Sequence, residues 1–211
     1  MQRTVTTEIP QQITPSQQLR LFVAVTVPDS IKDALCGVQR ELQELLSKTT
    51  IRWTPREQIH LTLRFFGNVR SEDLDPVKSA LQNVCKDTAS FRLHAYGLGV
   101  FPEKRFPRVI WVGVRDDQNQ IGTLQRKIET ATAQFGEKPD DRPFSAHLSL
   151  GRVKDIRSRE APLRDFVTAR AKPFGDWHVG EIELIRSELS YAGVKHSVVA
   201  RYTLRAATTD S

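Results

Sequence analysis

Two short runs in this 211-residue chain carry residue types suited to acid–base chemistry: His60-Leu61-Thr62-Leu63 and His147-Leu148-Ser149-Leu150. In each, an imidazole and a hydroxyl stand two positions apart, with leucines between and after them. Side chains alternate across a β-strand. Each run therefore presents its histidine and hydroxyl on one face, about 6.5–7 Å apart, and its leucines on the other. Imidazole is the side chain whose ordinary pKa lets it give or take a proton near neutrality. Two of them flanking a phosphodiester can act together, one taking a proton from the attacking oxygen and the other supplying one to the leaving oxygen. The hydroxyls of Thr62 and Ser149 can donate to non-bridging phosphoryl oxygens, where charge grows in the transition state. This chemistry requires no metal. One such run alone says little, because a histidine on a strand is more often packed or exposed than catalytic. Two copies in matching contexts reverse that balance.

Strict alternation places Arg64 on the face of His60 and Thr62, with Ile59, Leu61, Leu63 and Phe65 on the apolar face. His94, His178 and His196 lack the paired context and are expected to be structural or surface residues. Other site classes are unsupported: the chain has no HExxH zinc motif, no GxSxG elbow around Ser149, and no GxxxxGK[ST] or GxGxxG loop. No cofactor is expected.

The elements that must position these groups are legible from periodicity. RLFVAVTV, from Arg20, is a strand-length apolar run. A helix then begins at a cap on Asp29 or Ser30 and ends near Ser47, with Ile31, Ala34, Leu35, Val38, Leu42 and Leu45 at helical spacing. Further helices are predicted over about 72–86 and 118–135, and a weaker one near 160–170. FRLHAYGLGV, RVIWVGV, WHVGEIELIRSEL and HSVVARYTL read as strands. Several strands are joined by connections too short for a parallel crossover, which predicts an α+β fold with antiparallel or mixed sheets. The succession strand–helix–histidine run occurs twice. The offset is 88 between Arg20 and Arg108, and 87 between His60 and His147. Such a degenerate repeat predicts two similar lobes, each lending one strand to a shared cleft.

Composition sets the outer limits. At 39% hydrophobic and 27% charged residues the chain fits one domain or two small lobes. An excess of 31 basic over 25 acidic residues, a net charge of +6, supports a polyanionic partner such as RNA. No apolar run reaches the roughly 18–20 residues needed to span a bilayer, and the opening residues lack a secretory h-region. The protein is therefore expected to be soluble and cytoplasmic, with Cys36 and Cys85 as unbridged thiols. Residues 1–18 read as a disordered extension, 19–207 as a single domain and 208–211 as a tail.

Taken together, RLFVAVTVP, the RW before the first run, HLTLRFFGNV, GLGVFP, RVIWVGV, RPFSAHLSLGRV and the late IRSEL and YAGVKHSVVARYTL resemble the 2H phosphoesterases. The closest branch is the RNA 2′,3′-cyclic phosphodiesterases, long called 2′-5′ RNA ligases. The resemblance covers residues 19–205. It implies a bilobal α+β structure with pseudo-twofold symmetry, in which two mostly antiparallel sheets line a central cleft and helices cover the outer faces. It also implies that His60 is the proton donor and His147 the proton acceptor for water attack on a cyclic phosphate, leaving a 2′-phosphomonoester. Thr62 and Ser149 would hold the phosphate. Ser149 replaces the threonine common at its position, keeping the hydroxyl. Arg152 would contact phosphate or else brace the lobes. The implied partners are RNA ends or small cyclic nucleotides, with no metal, no membrane and a monomeric chain. Two alternatives stay open: 2′-5′ ligation by the same site, and an RNA-binding module with a vestigial site. The loop at 103–108 could guide an RNA backbone, and Phe22, Phe66 and Tyr191 are candidates for base stacking.

Overall fold

The β-branched run that opens the domain forms β1 (Gln18–Val25), so that Gln18 already belongs to a strand. The chain continues through α1 (Asp29–Leu45), β2 (Ile51–Trp53), β3 (Leu61–Arg70), α2 (Leu74–Lys86), β4 (Phe91–Phe101) and β5 (Val109–Arg115). It is completed by α3 (Gln120–Ala131), β6 (His147–Val153), β7 (Pro173–Val179), β8 (Glu181–Ser190) and β9 (Gly193–Thr203). This computed structural model describes residues 17–46, 50–102, 107–138, 142–154, 171–190 and 193–207. The predicted helix near 160–170, Tyr191 and most of the 103–108 loop lie outside the described residues.

The helices form where the apolar spacing predicts them, with shifts at their ends. In α1, Ile31, Leu35, Val38 and Leu42 are buried, and the cap position is Pro28 rather than Asp29 or Ser30. Proline is preset for a helix start, and Asp29 instead places a carboxylate in the positive first turn. Helix α2 buries Val77, Leu81 and Cys85. Helix α3 buries Ile121, Leu124 and Ile128, and its first turn is closed by the Asp116 carboxylate, which accepts from the backbone of Gln120 at 2.8 Å and Ile121 at 2.7 Å. No helix among the described residues is long and apolar enough to cross a membrane. Cys36 and Cys85 are free thiols.

Pairing between these strands is antiparallel, with a lone parallel bridge between Ala89 and Arg205 outside them. The order β7-β4-β5-β6-β3-β1-β8-β9, with β2 added on β6, makes a nine-stranded sheet. Its two halves, β3-β1-β8-β9 and β6-β5-β4-β7, correspond strand for strand. They meet at a single register pair, Leu61 opposite Leu148. The two expected sheets are thus one ladder with a narrow central seam. The crossover helices are exchanged between the halves. Helix α1 leaves β1 yet packs on β7, and α3 leaves β5 yet packs on β3, with α2 beside α3 and β9.

The repeat has a constant offset of 87 in the paired strands, not the 88 read at Arg20 and Arg108. Ala24 opposes Thr62 as Trp111 opposes Ser149, and Val23 opposes Arg64 as Ile110 opposes Gly151. Just after the hydroxyl each pairing skips a residue, Leu63 in β3 and Leu150 in β6, so both halves carry a β-bulge there; β3 skips a second residue, Phe66, further along. A bulge adds a residue and turns the next side chains to the other face. Arg64 is the first consequence. It does not share the face of His60 but is buried toward the helices, where it donates to the Glu129 carbonyl at 2.8 Å and the Phe135 carbonyl at 3.1 Å. Phe65, expected in the core, is 42% exposed on the seam side. The bulged Leu150 carbonyl accepts from the Thr54 backbone and from the buried Gln39 side chain, both at 2.9 Å.

Arg64 therefore ties β3 to the C-terminal end of α3, where a cation also suits the helix dipole. Arg64→Leu leaves two carbonyls without their charged donor and should lower unfolding free energy by about 2–4 kcal/mol. The check is the urea midpoint at unchanged m-value, with activity per folded molecule retained.

Candidate active site

The central pair Leu61–Leu148 sets the register of everything around it. Continuing the antiparallel pairing by one residue each way puts His60 across from Ser149 and Thr62 across from His147. The two histidines are then diagonal neighbours on one face, with backbones about 7–8 Å apart, and the two hydroxyls occupy the other diagonal. The intervening leucines are buried beneath, at 1% and 0% exposure, so the leucine side of each run anchors the polar side.

Each histidine is held in the same way. The His147 ring nitrogen Nδ1 lies 2.7 Å from the Ser145 carbonyl, two residues upstream. His60 makes the corresponding bond to the backbone of Gln58, again two residues upstream. With Nδ1 of His147 donating to that carbonyl, Nε2 is the ring nitrogen left for proton transfer.

The rings have different surroundings. His147 stands beside the Phe101–Trp111 pair, its ring centroid 5.3 Å from Phe101 and 6.3 Å from Trp111. Gly99 of β4 pairs with Trp111, and a Cβ there would overlap the indole, so glycine is what admits the ring. His60 is stacked on Phe22 at 4.9 Å, with His196 edge-on to both rings, 5.6 Å from His60 and 5.0 Å from Phe22. His196, expected to be a structural or surface residue, thus packs directly against His60 and Phe22. β9 reaches the seam through β8, and the register Ser187 opposite His196 turns the imidazole onto it. His94, 3.9 Å from Asp117, and the exposed His178 lie elsewhere, as expected.

Burial, then the His196 charge and more weakly Lys32, push the His60 imidazole down to about 4, against the raising effect of the Gln58 bond. Burial pushes His196 down as well. The folded protein therefore favours neutral His60, while the unfolded chain would bind a proton below about 6.5. Stability from this group is complete above pH 6.5 and is lost as pH falls through 4, by about 3 kcal/mol in all. Comparing urea midpoints of wild type and His60→Gln across pH 7 to 4 should show a shallower acid loss in the variant.

The β6 bulge has a further effect. Arg152 pairs with Val109, one step beyond the core pair Gly151–Ile110, and so returns to the face of His147 and Ser149. It is exposed, and Arg52 of β2 lies directly opposite it. Two guanidinium groups side by side repel unless an anion lies against them. At the equivalent place in the other half stands Phe65, with the Arg20 guanidinium 4.9 Å from its ring centre. Of the stacking candidates, Phe22 is taken up by His60 and Phe66 is fully buried. Among the described residues, the exposed large aromatic is Phe65.

A family model described as LigT-like phosphoesterase matches the chain twice in succession, over residues 25–111 and 112–196. The chain belongs to this family. The two matched segments start 87 positions apart, the same spacing as the paired strands and the two histidine runs. Among relatives of this LigT-like phosphoesterase, an RNA 2′,3′-cyclic phosphodiesterase of Methanothermobacter thermautotrophicus is 30% identical over 176 residues, covering 83% of this chain and 94% of that protein. Another from Aquifex aeolicus is 30% identical over 189 residues, covering 88% and 97%. A crystal structure of TT0787 from Thermus thermophilus superposes with a TM-score of 0.74 at 28% identity, covering 89% of this chain and 99% of that one. E. coli LigT complexed with 3′-AMP shares the fold, with a TM-score of 0.70 at 21% identity over 89% of this chain and 99% of that chain.

Proposed function

We propose that this phosphoesterase hydrolyses 2′,3′-cyclic phosphate ends of RNA to 2′-phosphomonoesters by acid–base catalysis between His60 and His147, without a metal. The observation that carries the reading is the duplicated histidine–hydroxyl face on either side of the Leu61–Leu148 pair. The names of the relatives supply the substrate class. A phosphoryl group bound between the diagonals would have an imidazole on each side and a hydroxyl beside each imidazole.

In this reading His147, oriented by Ser145, takes a proton from water through Nε2, and the resulting hydroxide attacks phosphorus. The bond to O3′ breaks, and His60 donates its proton to the departing oxygen. Thr62 and Ser149 donate to the non-bridging oxygens, and Arg152, with Arg52 opposite, offsets the anionic charge of the phosphate or of the RNA backbone. His60 is neutral in the empty cleft near neutral pH, so its proton is taken up with the anion, whose charge stabilises the imidazolium. All these groups come from one chain, which we read as active as a monomer, and its free thiols fit a reducing cytoplasm.

The test is incubation of an oligonucleotide ending in a 2′,3′-cyclic phosphate in EDTA, with the product assigned by phosphorus NMR. The expected product is the 2′-phosphomonoester. A 3′-phosphate, a requirement for added divalent ion, or binding without turnover would each overturn the reading. Adding an RNA with a 5′-hydroxyl to the same mixture measures ligation, and hydrolysis should exceed it because water is in vast excess.

A further inference from the structure

The third imidazole at the cleft is not accounted for by the two-histidine scheme. His196 lies 5.6 Å from His60, the two rings nearly perpendicular at 68°, and both rest on Phe22. The cluster is fixed from two strands. The Gln58 backbone holds His60, and the Gln58 side-chain amide donates to the Val194 carbonyl of β9 at 2.9 Å, two residues before His196. One residue thus locks the donor loop to the strand that carries the third histidine. A packed aromatic residue would suffice to support His60, so an ionisable ring here adds an electrostatic function to the mechanical one.

We propose that His196 is a positioning residue for His60: it fixes the plane of the donor ring and makes the two imidazoles a pair that takes up a single proton when an anionic phosphoryl group lies against them. The proposal rests on the reading of His60 as the donor. Two imidazolium ions at this separation repel, and the apolar floor of Phe22, Ala24 and Ile185 gives the charge little solvation. The other groups around the pair leave this balance to the two rings. Helix α1 contributes the Lys32 charge, which acts in the same direction as His196. From β8, Ser187 stands opposite His196, and Glu183, opposite Ala24 on the same floor, is already paired with Arg201 of β9 at 2.8 Å. Thr62 and Ser149 are uncharged, and His147 is across the seam. With Glu183 paired to Arg201, the incoming phosphate thus brings the negative charge that balances the proton taken up by the two rings. In the cycle, the pair takes one proton from solvent on binding and His60 passes it to O3′. His147 then releases to solvent the proton it took from water.

The experiment tracks the imidazole Cε1–H signals by NMR in the ligand-free full-length protein, in wild type, His196→Phe and His196→Asn. Phenylalanine keeps the packing without the charge, and asparagine serves if the larger ring disturbs the fold. Removing the second imidazole should raise the proton affinity of His60 by about tenfold, one pH unit at its midpoint. A parallel measurement titrates wild-type protein with a 2′-O-methylated ApA dinucleotide, whose phosphodiester neither cleaves nor titrates, by calorimetry in buffers of different ionisation heat at pH 7. It should show uptake of roughly one proton per ligand bound, with less uptake in His196→Phe. An unchanged His60 midpoint in both variants, or binding without proton uptake in wild type, overturns the proposal. If the midpoint moves but the pH profile of kcat/KM does not move with it, the His60–His196 coupling stands and the assignment of His60 as donor falls.

Discussion

His147→Ala should lower kcat for hydrolysis of a 2′,3′-cyclic phosphate end by about 10²–10⁴-fold, with His60→Ala falling in the same range. The physical content is the proton inventory at phosphorus. In the proposed mechanism, removing His147 takes away the group that would accept the proton of the attacking water. Without His60 the departing O3′ leaves as an alkoxide. If the two imidazoles act in one transition state, the double variant should be little slower than the more damaged single one. Independent contributions would multiply instead. Steady-state kinetics of the three variants decides this, with the urea midpoint confirming that each is folded. Wild-type rates in either single variant would remove the two-histidine mechanism.

The second large effect belongs to the hydroxyls. Thr62→Val and Ser149→Ala should each reduce kcat by about 10²–10³-fold with a smaller change in KM, because a donor aimed at growing phosphoryl charge contributes mostly in the transition state. Thr62 suits the test, since valine has almost the same shape and Thr62 is only partly buried. Thr62→Ser should keep most of the activity, since a serine, Ser149, holds the matching position in the other half. Equal loss of activity in the serine and valine variants would mean that the methyl group and its packing matter, not the hydroxyl.

The histidine–hydroxyl runs, the leucines beneath them and the doubling of the fold were legible because each is local: alternation decides which face a residue takes, and the repeat is visible by eye. The failures have one physical origin each. Arg64 and Phe65 exchange faces because a bulge at Leu63 breaks the alternation, and nothing in HLTLRFFG marks an inserted residue. The same event at Leu150 returns Arg152 to the face of His147, which strict alternation denies it. Phe101 and Trp111 beside His147 are ordinary strand aromatics in the sequence; only the closeness allowed by Gly99 makes them a wall. The contact of His196 with His60 was hidden for a different reason. Periodicity says that β9 is a strand but not which strands it joins, and that depends on β8 pairing with β1, where Ile185 meets Phe22 across 163 positions (22 to 185).

That long-range pairing, with the exchanged helices, governs how the enzyme comes into being. A nascent chain that has left the ribosome as far as β6 has both histidine–hydroxyl runs but lacks the strands that border β1 and carry the ring beside His60. Helix α1 meanwhile waits for β7. Neither half can mature alone, so the high contact order of the chain delays both together. Fragments from stalled translation or from a proteolytic nick before Gly193 would lack the complete cleft, and the cell would meet this nuclease-like chemistry only in finished molecules.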